Sequence, residues 1–384
     1  MNYQALARKW RPQIFSDVIG QEHILTVIKN SLSLNRVHHS YLLSGTRGVG
    51  KTTIARLLAK GLNCKSGVTS TPCRDCTNCK EIEKGCFVDL IEVDAASRTK
   101  VEEIRELLEN VPYAPSNGNF KVYLIDEAHM LSRYSFNALL KNLEEPPKHV
   151  KFLLATTEPK KLPITILSRC LQFHLKLLNV KQIYKRLSFI LKQEKIITDS
   201  YALQLLARAA NGSMRDALSL TDQAIAMGNG KINYHTTRLA LGSIDDEHPL
   251  DLIEALANAN GKEIIKKISQ FADCDINWDN LLIEILSLLH QLTLGQLFPE
   301  QLINEDMSNR AKRLSNLTER FSSKDLHLYY QSILTGRKVL QFAPNPRVGV
   351  EMILLRALSV SSTLSKPNIN NNNLLIINDE KQLY

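Results

Sequence analysis

The sequence predicts a doubly wound α/β domain followed by two domains built only from helices. Apolar strand segments alternate with helical segments from residue 1 to about residue 178, as expected for a parallel sheet covered by helices. A glycine-rich loop joins a strand to a helix at residues 45–52. Beyond about residue 180 the apolar residues keep helical spacing, which predicts a small helical domain at 179–242 and an all-helical domain at 243–360.

The glycine-rich loop, Gly45-Thr46-Arg47-Gly48-Val49-Gly50-Lys51-Thr52, has the G-x-x-x-x-G-K-[ST] spacing of a phosphate-binding loop. The apolar strand segment Tyr41-Leu42-Leu43 precedes it, and a helical segment follows it. The glycines let backbone N–H groups converge on phosphates, and the helix N-terminus adds a favourable dipole. Lys51 would neutralise the β and γ oxygens, and the Thr52 hydroxyl would ligate Mg²⁺. The loop therefore predicts a site for a nucleoside triphosphate such as ATP.

A later apolar strand ends in two carboxylates, Asp126 and Glu127, after Val122-Tyr123-Leu124-Ile125. Burial in a parallel sheet explains the apolar run, and exposure at the carboxyl end of the strand explains the acids. Asp126 would hold Mg²⁺, and Glu127 would orient and deprotonate an attacking water. The pair predicts hydrolysis of the nucleotide as well as binding.

The remaining strands and helices follow from the same periodicities. Val101, Ile104, Leu107 and Leu108 have helical spacing, which predicts a helix at 101–110. The strands are expected at 41–44, 89–93, 121–125, 151–156 and 170–174. The helices of the second domain are expected at 182–194, 200–210 and 214–227, the last with Ser213 as its N-cap.

Amino-acid composition indicates where the last helical domain begins and ends, and whether the protein is associated with membranes. Residues 242–249 have linker composition, and the asparagine-rich residues 361–384 are expected to be disordered. The 384 residues contain 44% apolar residues but neither a signal peptide nor an apolar run of 18 residues, so we expect a cytoplasmic protein with no membrane association. The net charge of +9 favours a polyanionic partner, although a generally basic proteome would give the same value.

Four cysteines have the spacing of a metal site inside the α/β domain. Cys64, Cys73, Cys76 and Cys79 form a C-x8-C-x2-C-x2-C pattern, which suits tetrahedral Zn²⁺ in a structural role. An iron–sulfur cluster is the alternative, but its motif needs a further Cys-Pro pair where Glu83-Lys84 stand. Free thiols are a further alternative, and a nearby fifth cysteine, Cys86, would replace Cys64 if the loop folded differently.

Two arginine motifs extend this pattern into that of a known family. Ser168-Arg169-Cys170 follows the strand that ends in Thr156-Thr157, and Gly212-Ser213-Met214-Arg215 opens a helix of the second domain. In this order, the phosphate loop, the Asp-Glu strand, the polar threonine and the two arginine motifs resemble AAA+ ATPases, and among them the clamp-loader subunits.

Other segments make the resemblance more specific. The N-terminal motifs Lys9-Trp10-Arg11-Pro12 and Phe15–Gln21, the four-cysteine insertion and Asp94-Ala95-Ala96-Ser97-Arg98 are similar to the gamma/tau family of bacterial DNA polymerase III subunits. The resemblance extends from residue 3 to about residue 360. In that family the longer product continues into further domains, so this chain resembles the shorter, gamma-like form.

The resemblance implies a role for each motif residue. Residues 45–52 grip the triphosphate, Asp126 is the Mg²⁺ carboxylate and Glu127 the hydrolytic base. Thr157, with Thr156 beside it, resembles the polar sensor of the γ-phosphate. Further implied are Arg215 as a sensor that reaches the phosphates in cis and Arg169 as an arginine finger that enters a neighbouring subunit's site in trans.

The resemblance also implies partners. Subunits of this family form an incomplete ring with delta, delta-prime and further gamma/tau copies, and the ring opens a sliding clamp and places it on primer–template DNA. The stretch Leu6–Gly20 would line the adenine pocket, with Arg11 and Pro12 near the base. Nothing in the sequence resembles a nucleotidyl-transfer site, so any polymerase activity belongs to the holoenzyme. Candidate DNA-phosphate contacts are Arg98, Lys100, Arg105, Arg133 and Lys141.

Two other functions compete with a clamp-loader motor. A branch-migration helicase of the AAA+ class generally ends in a winged-helix module, whereas residues 250–360 have the long apolar helices of an oligomerising collar. A non-hydrolysing scaffold subunit would typically have a degraded phosphate loop, whereas Lys51, Thr52, Asp126 and Glu127 are all present. Both features favour the motor subunit.

Overall fold

The structure of the protein is a computed structural model that describes residues 4–97, 106–241, 247–272, 276–298 and 309–364. The chain forms two compact units, Met1–Leu241 and Gly242–Tyr384. Among the described helices, none is long and apolar enough to cross a lipid bilayer. The first unit carries the predicted α/β domain and the helices that follow it.

A five-stranded parallel sheet forms the centre of the first unit. The strand order is β2-β3-β4-β1-β5, so β1 lies between β4 and β5. All the carboxyl ends of the strands therefore lie at one edge of the sheet. The strands are β1 (Ser40–Ser44), β2 (Leu90–Asp94), β3 (Lys121–Asp126), β4 (Val150–Thr156) and β5 (Leu171–His174).

Helices cover both faces of this sheet, and alternation along the strands sorts the apolar side chains between the two faces. On β1, Tyr41 and Leu43 pack with Ile54 on one face, while Leu42 packs with Phe136 on the other. Burial on both faces explains why the strands are continuous apolar runs. The helices are α1 (Leu6–Lys9), α2 (Glu22–Ser33), α3 (Lys51–Asn63), α4 (Thr77–Lys84), α5 (Arg133–Glu144) and α6 (Ile164–Leu167).

Four helices complete the first unit, and side chains cap the N-terminus of each. Asn179 and Gln182 form a capping box, and the Ser213 hydroxyl accepts a hydrogen bond from the Asp216 N–H. Leu187, Leu206 and other apolar residues form a separate core. The helices are α7 (Val180–Gln193), α8 (Ser200–Ala209), α9 (Met214–Met227) and α10 (Tyr234–Ala240).

The described part of the second unit is entirely helical. Its longest helix, α13 (Trp278–Leu297), is strongly apolar and contacts four of the other helices. Leu289, Ile333 and Leu354 are fully buried in the core around it. The other helices are α11 (Glu247–Ala257), α12 (Gly261–Ala272), α14 (Asn309–Arg320), α15 (Ser323–Val339) and α16 (Pro346–Leu364).

The predicted fold class is confirmed: an α/β core with parallel strands is followed by helical regions. All five strands lie where the sequence predicts them, within two residues at each end. The predicted helix at 101–110 is described only over residues 106–110, of which 106–109 are helical and Asn110 is in the turn that follows. The structure describes only residues 361–364 of the predicted tail and only 247–249 of the predicted linker. The division into three domains and a tail stays a prediction.

Candidate nucleotide site and cysteine cluster

Three neighbouring strands bring the predicted catalytic residues to one edge of the sheet. The phosphate loop follows β1, Asp126 is the last residue of β3 with Glu127 directly after it, and Thr157 follows β4. Because β3, β4 and β1 are adjacent and parallel, residues more than a hundred positions apart in the sequence converge there. This edge is the candidate nucleotide site.

The phosphate loop has the backbone conformation that its glycines permit. Gly45, Gly48 and Gly50 all have positive φ, at 147°, 77° and 106°. Gly50 is the N-cap of α3, so helix α3 begins at Lys51 with its free N–H groups directed towards the loop. Such an arrangement of N–H groups at a helix N-terminus suits a phosphate.

Lys51 lies buried inside the loop. Its ammonium group donates hydrogen bonds to the carbonyls of Gly45 (2.8 Å) and Thr46 (3.0 Å). Burial lowers the pKa of Lys51, and the neighbouring carboxylates of Glu127 and Asp126 oppose that shift. The cation is therefore held between the loop and the two acids that the sequence assigns to the same site.

The predicted Mg²⁺ ligands are in direct contact. The Thr52 hydroxyl donates a 2.7 Å hydrogen bond to Asp126 Oδ2. Two adjacent oxygen ligands, one of them a carboxylate, are the type of donor set that Mg²⁺ prefers in nucleotide sites. These two residues fit the metal that the sequence predicts.

Glu127 is held by the neighbouring strand. Thr157 donates two hydrogen bonds to Glu127 Oε2, from its hydroxyl at 2.9 Å and from its backbone N–H at 3.2 Å. Thr156 points elsewhere: it is fully buried, and its hydroxyl is hydrogen-bonded to His129 Nδ1 at 3.0 Å. Of the two predicted sensor threonines, Thr157 is the one that contacts the predicted base.

His129 is a neighbour of this site that the sequence analysis missed. It lies in a 3₁₀ turn, Ala128–Met130, immediately after Glu127. Its Nδ1 atom lies 3.5 Å from Glu127 Oε2, and its side chain is 8% exposed. The available signal was its position two residues after a predicted catalytic acid.

The first turn of α9 lies against the phosphate loop. The Arg215 N–H donates to the Gly48 carbonyl at 3.4 Å. A Cβ added at Gly48 would overlap the Ser213 hydroxyl and come within 3.3 Å of Arg215 Cβ. The loop therefore needs glycine here both for its φ and for this close approach, which brings Arg215 beside the triphosphate grip.

The N-terminal segment also connects the loop region to the helices α7–α10. Helix α1 packs in their core through Leu6, and the Leu6 N–H donates to Asp222 Oδ2 at 2.9 Å. Arg11 is partly buried. Burial and the nearby cations of Arg56 and Arg215 lower the pKa of Arg11, while Glu92 raises it. This surplus of cations near the loop suits an anionic ligand.

Arg169 lies far from this site. Its backbone carbonyl accepts a 2.5 Å hydrogen bond from Ser40, the first residue of β1, whereas the phosphate loop follows the last residue of β1. At about 3.3 Å per residue, the strand separates them by about 13 Å. The Arg169 guanidinium instead pairs with Glu144 at 2.8 Å. Arg169 is thus not assembled with the other predicted residues of the site.

The predicted DNA contacts are only partly described. Arg133 and Lys141 are exposed on helix α5. Arg98, Lys100 and Arg105 lie outside the described residues. Arg133 and Lys141 are therefore accessible, and the role of all five residues stays a prediction.

The four predicted cysteine ligands form a cluster. The sulfur atoms of Cys64, Cys73, Cys76 and Cys79 all lie within 4.8 Å of one another. A tetrahedral zinc site with Zn–S bonds of about 2.3 Å needs sulfur atoms about 3.8 Å apart. Cys86 is exposed and lies outside this cluster, with its thiol directed at the Glu81 carbonyl. The geometry therefore selects Cys64, not Cys86, as the fourth member.

Backbone N–H groups point at the sulfur atoms, which stabilises thiolates. Cys73, Cys76 and Cys79 each donate a backbone N–H to the preceding member of the cluster, at 3.4–3.5 Å. Burial tends to raise the pKa of Cys64, but the Cys73 and Ser66 hydrogen bonds outweigh it and lower this pKa to about 6. Burial raises the pKa of the Cys79 thiol. The cluster is compatible with a closed four-thiolate zinc site.

Three models of protein families match successive parts of the chain. Residues 20–179 match "DNA polymerase III, delta subunit". Residues 182–230 match "DNA polymerase III clamp loader subunit, ATPase lid domain". Residues 232–370 match "DNA polymerase III subunits gamma and tau domain III". The matches therefore follow one another along residues 20–370, and two of them are to an ATPase lid domain and to the third domain of the gamma and tau subunits.

Individual proteins match over nearly the whole chain. DNA polymerase III subunit tau of Escherichia coli K12 is 61% identical over 367 residues, which cover 96% of this chain and 57% of that protein. The tau subunit of Salmonella typhimurium gives the same coverage and identity. DNA polymerase III subunit gamma of Buchnera aphidicola (from Acyrthosiphon pisum) is 51% identical, covering 94% of this chain and 99% of that protein. The chain thus spans somewhat more than half of each tau relative.

Solved structures are more distant. The RuvB Holliday junction branch migration motor of Thermotoga maritima has a TM-score of 0.47 and 19% identity, covering 64% of this chain and 79% of that one. The Bacillus subtilis DNA clamp loader delta protein has a TM-score of 0.37 and 15% identity, covering 87% and 99%. Neither similarity is close enough to bear on function.

Proposed function

The chain belongs to the DNA polymerase III gamma/tau family, and on that premise we propose that it is an ATP-hydrolysing motor subunit of a clamp loader. Such an assembly places a sliding clamp on primed DNA during replication. One observation carries the proposal: Thr52, Asp126, Glu127 and Thr157 are hydrogen-bonded in pairs beside the buried Lys51. This arrangement has the parts that phosphoryl transfer to water needs.

In the proposed reaction, the loop N–H groups and Lys51 bind the β- and γ-phosphates of ATP. Thr52 and Asp126 would hold Mg²⁺, which neutralises charge on the phosphates when it is bound. Glu127 orients the attacking water and accepts its proton. Thr157 keeps the Glu127 carboxylate at the γ-phosphate end of the site, as its two hydrogen bonds to Oε2 support.

Two arginines, Arg215 and Arg169, would complete the nucleotide site, the first from the same subunit and the second from a neighbouring one. Arg215 lies beside Gly48 and acts in cis, so that closure of the helices 179–242 on the nucleotide completes the site. Arg169 acts in trans as the finger for a neighbouring subunit. Its distance from its own phosphate loop supports this role, and so does its exposed pair with Glu144, because such surface pairs contribute only about 0–1 kcal/mol and release easily.

The cysteine cluster would hold zinc in a structural role. Its four thiolates leave no open coordination position for a substrate. The compact sulfur geometry and the backbone N–H groups directed at the thiolates support this role.

The proposed partners are delta, delta-prime and further gamma/tau subunits, the sliding clamp and primer–template DNA, all in the cytoplasm. The net charge of +9 and the exposed Arg133 and Lys141 support contact with a polyanion such as DNA. The chain itself would have no polymerase site, because nothing in its sequence resembles a nucleotidyl-transfer site.

The test measures ATP hydrolysis by the chain mixed with delta-type subunits, with and without clamp and primed DNA. We expect stimulation by clamp and DNA together. Lys51→Ala should lose ATP binding, because it removes the cation that faces the phosphates. Glu127→Gln should keep binding but lose about 10²–10⁴-fold in turnover, because it removes the base. Unstimulated hydrolysis, or hydrolysis that survives in both variants, would contradict the proposed function.

A further inference from the structure

His129 is a buried side chain next to the nucleotide site that the proposed mechanism does not use. Its ring lies between three polar groups. Nδ1 is 3.0 Å from Thr156 Oγ1 and 3.5 Å from Glu127 Oε2, while Nε2 is 3.7 Å from Glu158 Oε1. The Nδ1 edge therefore faces the catalytic carboxylate, and only the Nε2 edge faces away from it.

Glu127 needs support from outside its own strand. Its backbone is in the left-handed region, with φ 47° and ψ 45°, because the chain turns sharply where β3 ends. The only side chain that donates a hydrogen bond to Glu127 in the described structure is Thr157, and both of its bonds reach Oε2. A general base works only when its carboxylate is held within hydrogen-bond reach of the water it deprotonates.

His129 is itself fixed by the strand that carries Thr157. The Thr156 hydroxyl that contacts Nδ1 also accepts the Glu158 N–H at 3.1 Å. Thr156 has no exposed surface, and the His129 side chain is 8% exposed. The ring is therefore anchored to the end of β4 and packs against the same Glu127 oxygen that Thr157 binds.

The geometry points to His129 as a positioning residue for Glu127. Its Nδ1 edge, braced by Thr156, limits the Glu127 carboxylate to the orientation in which Thr157 also binds it. This inference rests on the proposed ATP hydrolysis, and it assigns His129 no contact with nucleotide. The alternative is that the ring only fills buried space, in which case any side chain of similar bulk would serve.

Variants with amide side chains distinguish a positioning role from mere filling of space, because Asn and Gln mimic different edges of the histidine ring. Asn places a polar atom near the position of Nδ1, whereas Gln places one near Nε2. We would compare His129→Asn, His129→Gln and His129→Ala in the assembled complex, measuring kcat, KM and the equilibrium affinity for a fluorescent ATP analogue. Glu158→Gln serves as the control for the Nε2 edge, since 3.7 Å is beyond a hydrogen bond.

We expect His129→Asn to keep most of the wild-type kcat. His129→Gln and His129→Ala should lose about 10²-fold in kcat, the loss that follows when a catalytic group is displaced by about 1 Å. KM and nucleotide affinity should stay unchanged in all three variants. Glu158→Gln should hydrolyse ATP like the wild type.

Wild-type kcat in His129→Ala would overturn the inference. Equal losses in the Asn and Gln variants, or a loss of nucleotide affinity with the loss of kcat, would also overturn it, because they indicate a purely structural ring. If the wild-type assembly itself failed to hydrolyse ATP, that result would contradict the proposed function and, with it, the role of His129. The wild-type measurement therefore distinguishes the two failures.

Discussion

The cysteine cluster and the nucleotide site both gather reactive side chains, but from very different separations along the chain. The four cysteines lie within residues 64–79, and the cluster is closed by a loop and the first turn of α4. The nucleotide site combines residues 45–52 with side chains from the ends of β3 and β4 and from α9. One site is local, and the other exists only when the sheet and the following helices are in place.

This difference determines what can disturb each site. The geometry of the cluster depends on a few residues and, in the proposed function, on a zinc ion, so the loss of one cysteine should disrupt the whole cluster. The nucleotide site depends on strand order, on the approach of α9 to Gly48 and, in the proposed function, on Arg169 from another subunit. Substitutions at the nucleotide site should therefore reduce its activity by different amounts, and some of these losses should be measurable only in the assembled complex.

The largest expected effect is at the cysteine cluster. Cys79→Ala should abolish bound zinc, because structural zinc binds with a free energy on the order of 10 kcal/mol that a missing ligand sharply reduces. Elemental analysis and thermal unfolding would measure the loss of metal and the lower Tm. The control is Cys86→Ala, which should keep its metal because Cys86 lies outside the cluster. Metal loss in the control, or iron in the wild type, would show that the assignment is wrong.

The second-largest effect is expected on ATP turnover when the proposed arginine finger, Arg169, is removed. Arg169→Ala should keep ATP binding and lose about 10³–10⁵-fold in DNA-stimulated turnover, the usual contribution of an arginine finger. Turnover of the assembled complex and nucleotide binding would be measured side by side. Glu144→Gln removes only the surface partner of Arg169 and should turn over normally. Normal stimulated turnover in Arg169→Ala would exclude the finger role.

A smaller effect is expected where α9 meets the phosphate loop. Gly48→Ala forces a side chain into a backbone with φ 77° and against the Ser213 hydroxyl. We expect the free energy of unfolding to fall by about 1–3 kcal/mol. Denaturant unfolding of the whole chain would measure it, with the first unit's transition as the readout. An unchanged midpoint would mean that α9 does not lie against the loop in solution.

The smallest effect is at the cap of α9. Ser213→Ala removes the hydroxyl that accepts the Asp216 N–H, and the free energy of unfolding should fall by about 1 kcal/mol. The same hydroxyl is the atom that a side chain at position 48 would meet. The double variant Gly48→Ala/Ser213→Ala should therefore be destabilised by less than the sum of the single changes. If the two losses of stability were strictly additive in a double-mutant cycle, the cap and the contact with the loop would be independent of each other, contrary to this prediction.

Much of the fold was predictable because its signals are local. The strands appear as apolar runs because both faces of the sheet are buried, and Ser213 is predictable as a cap because capping involves residues three positions apart. The close grouping of the four cysteines was predictable for the same reason. The pairing of Thr52 with Asp126 could be expected from their motifs, although 74 positions separate them.

Other contacts were not predictable, because they join segments that have no sequence relation. Lys60 is 2% exposed and donates to Gln13 and Glu83, although a lysine in an amphipathic helix is usually assigned to the surface. Trp10 donates to Glu194 across 184 positions. The position of His129 two residues after Glu127 was visible in the sequence, but its contact with Thr156 was not, because Thr156 lies at the end of another strand.

The amino-acid sequence by itself determined the alternation of strands and helices, the phosphate loop, the acidic strand end and the four-cysteine pattern. These depend on the spacing of residues that are close in the chain. Only the tertiary structure decided which threonine faces Glu127, that Cys64 and not Cys86 completes the cluster, and that Arg169 lies at the opposite edge of the sheet from its own phosphate loop. The physical reason is that strand order and side-chain burial are properties of the packed whole, and side-chain contacts between distant segments follow from that packing.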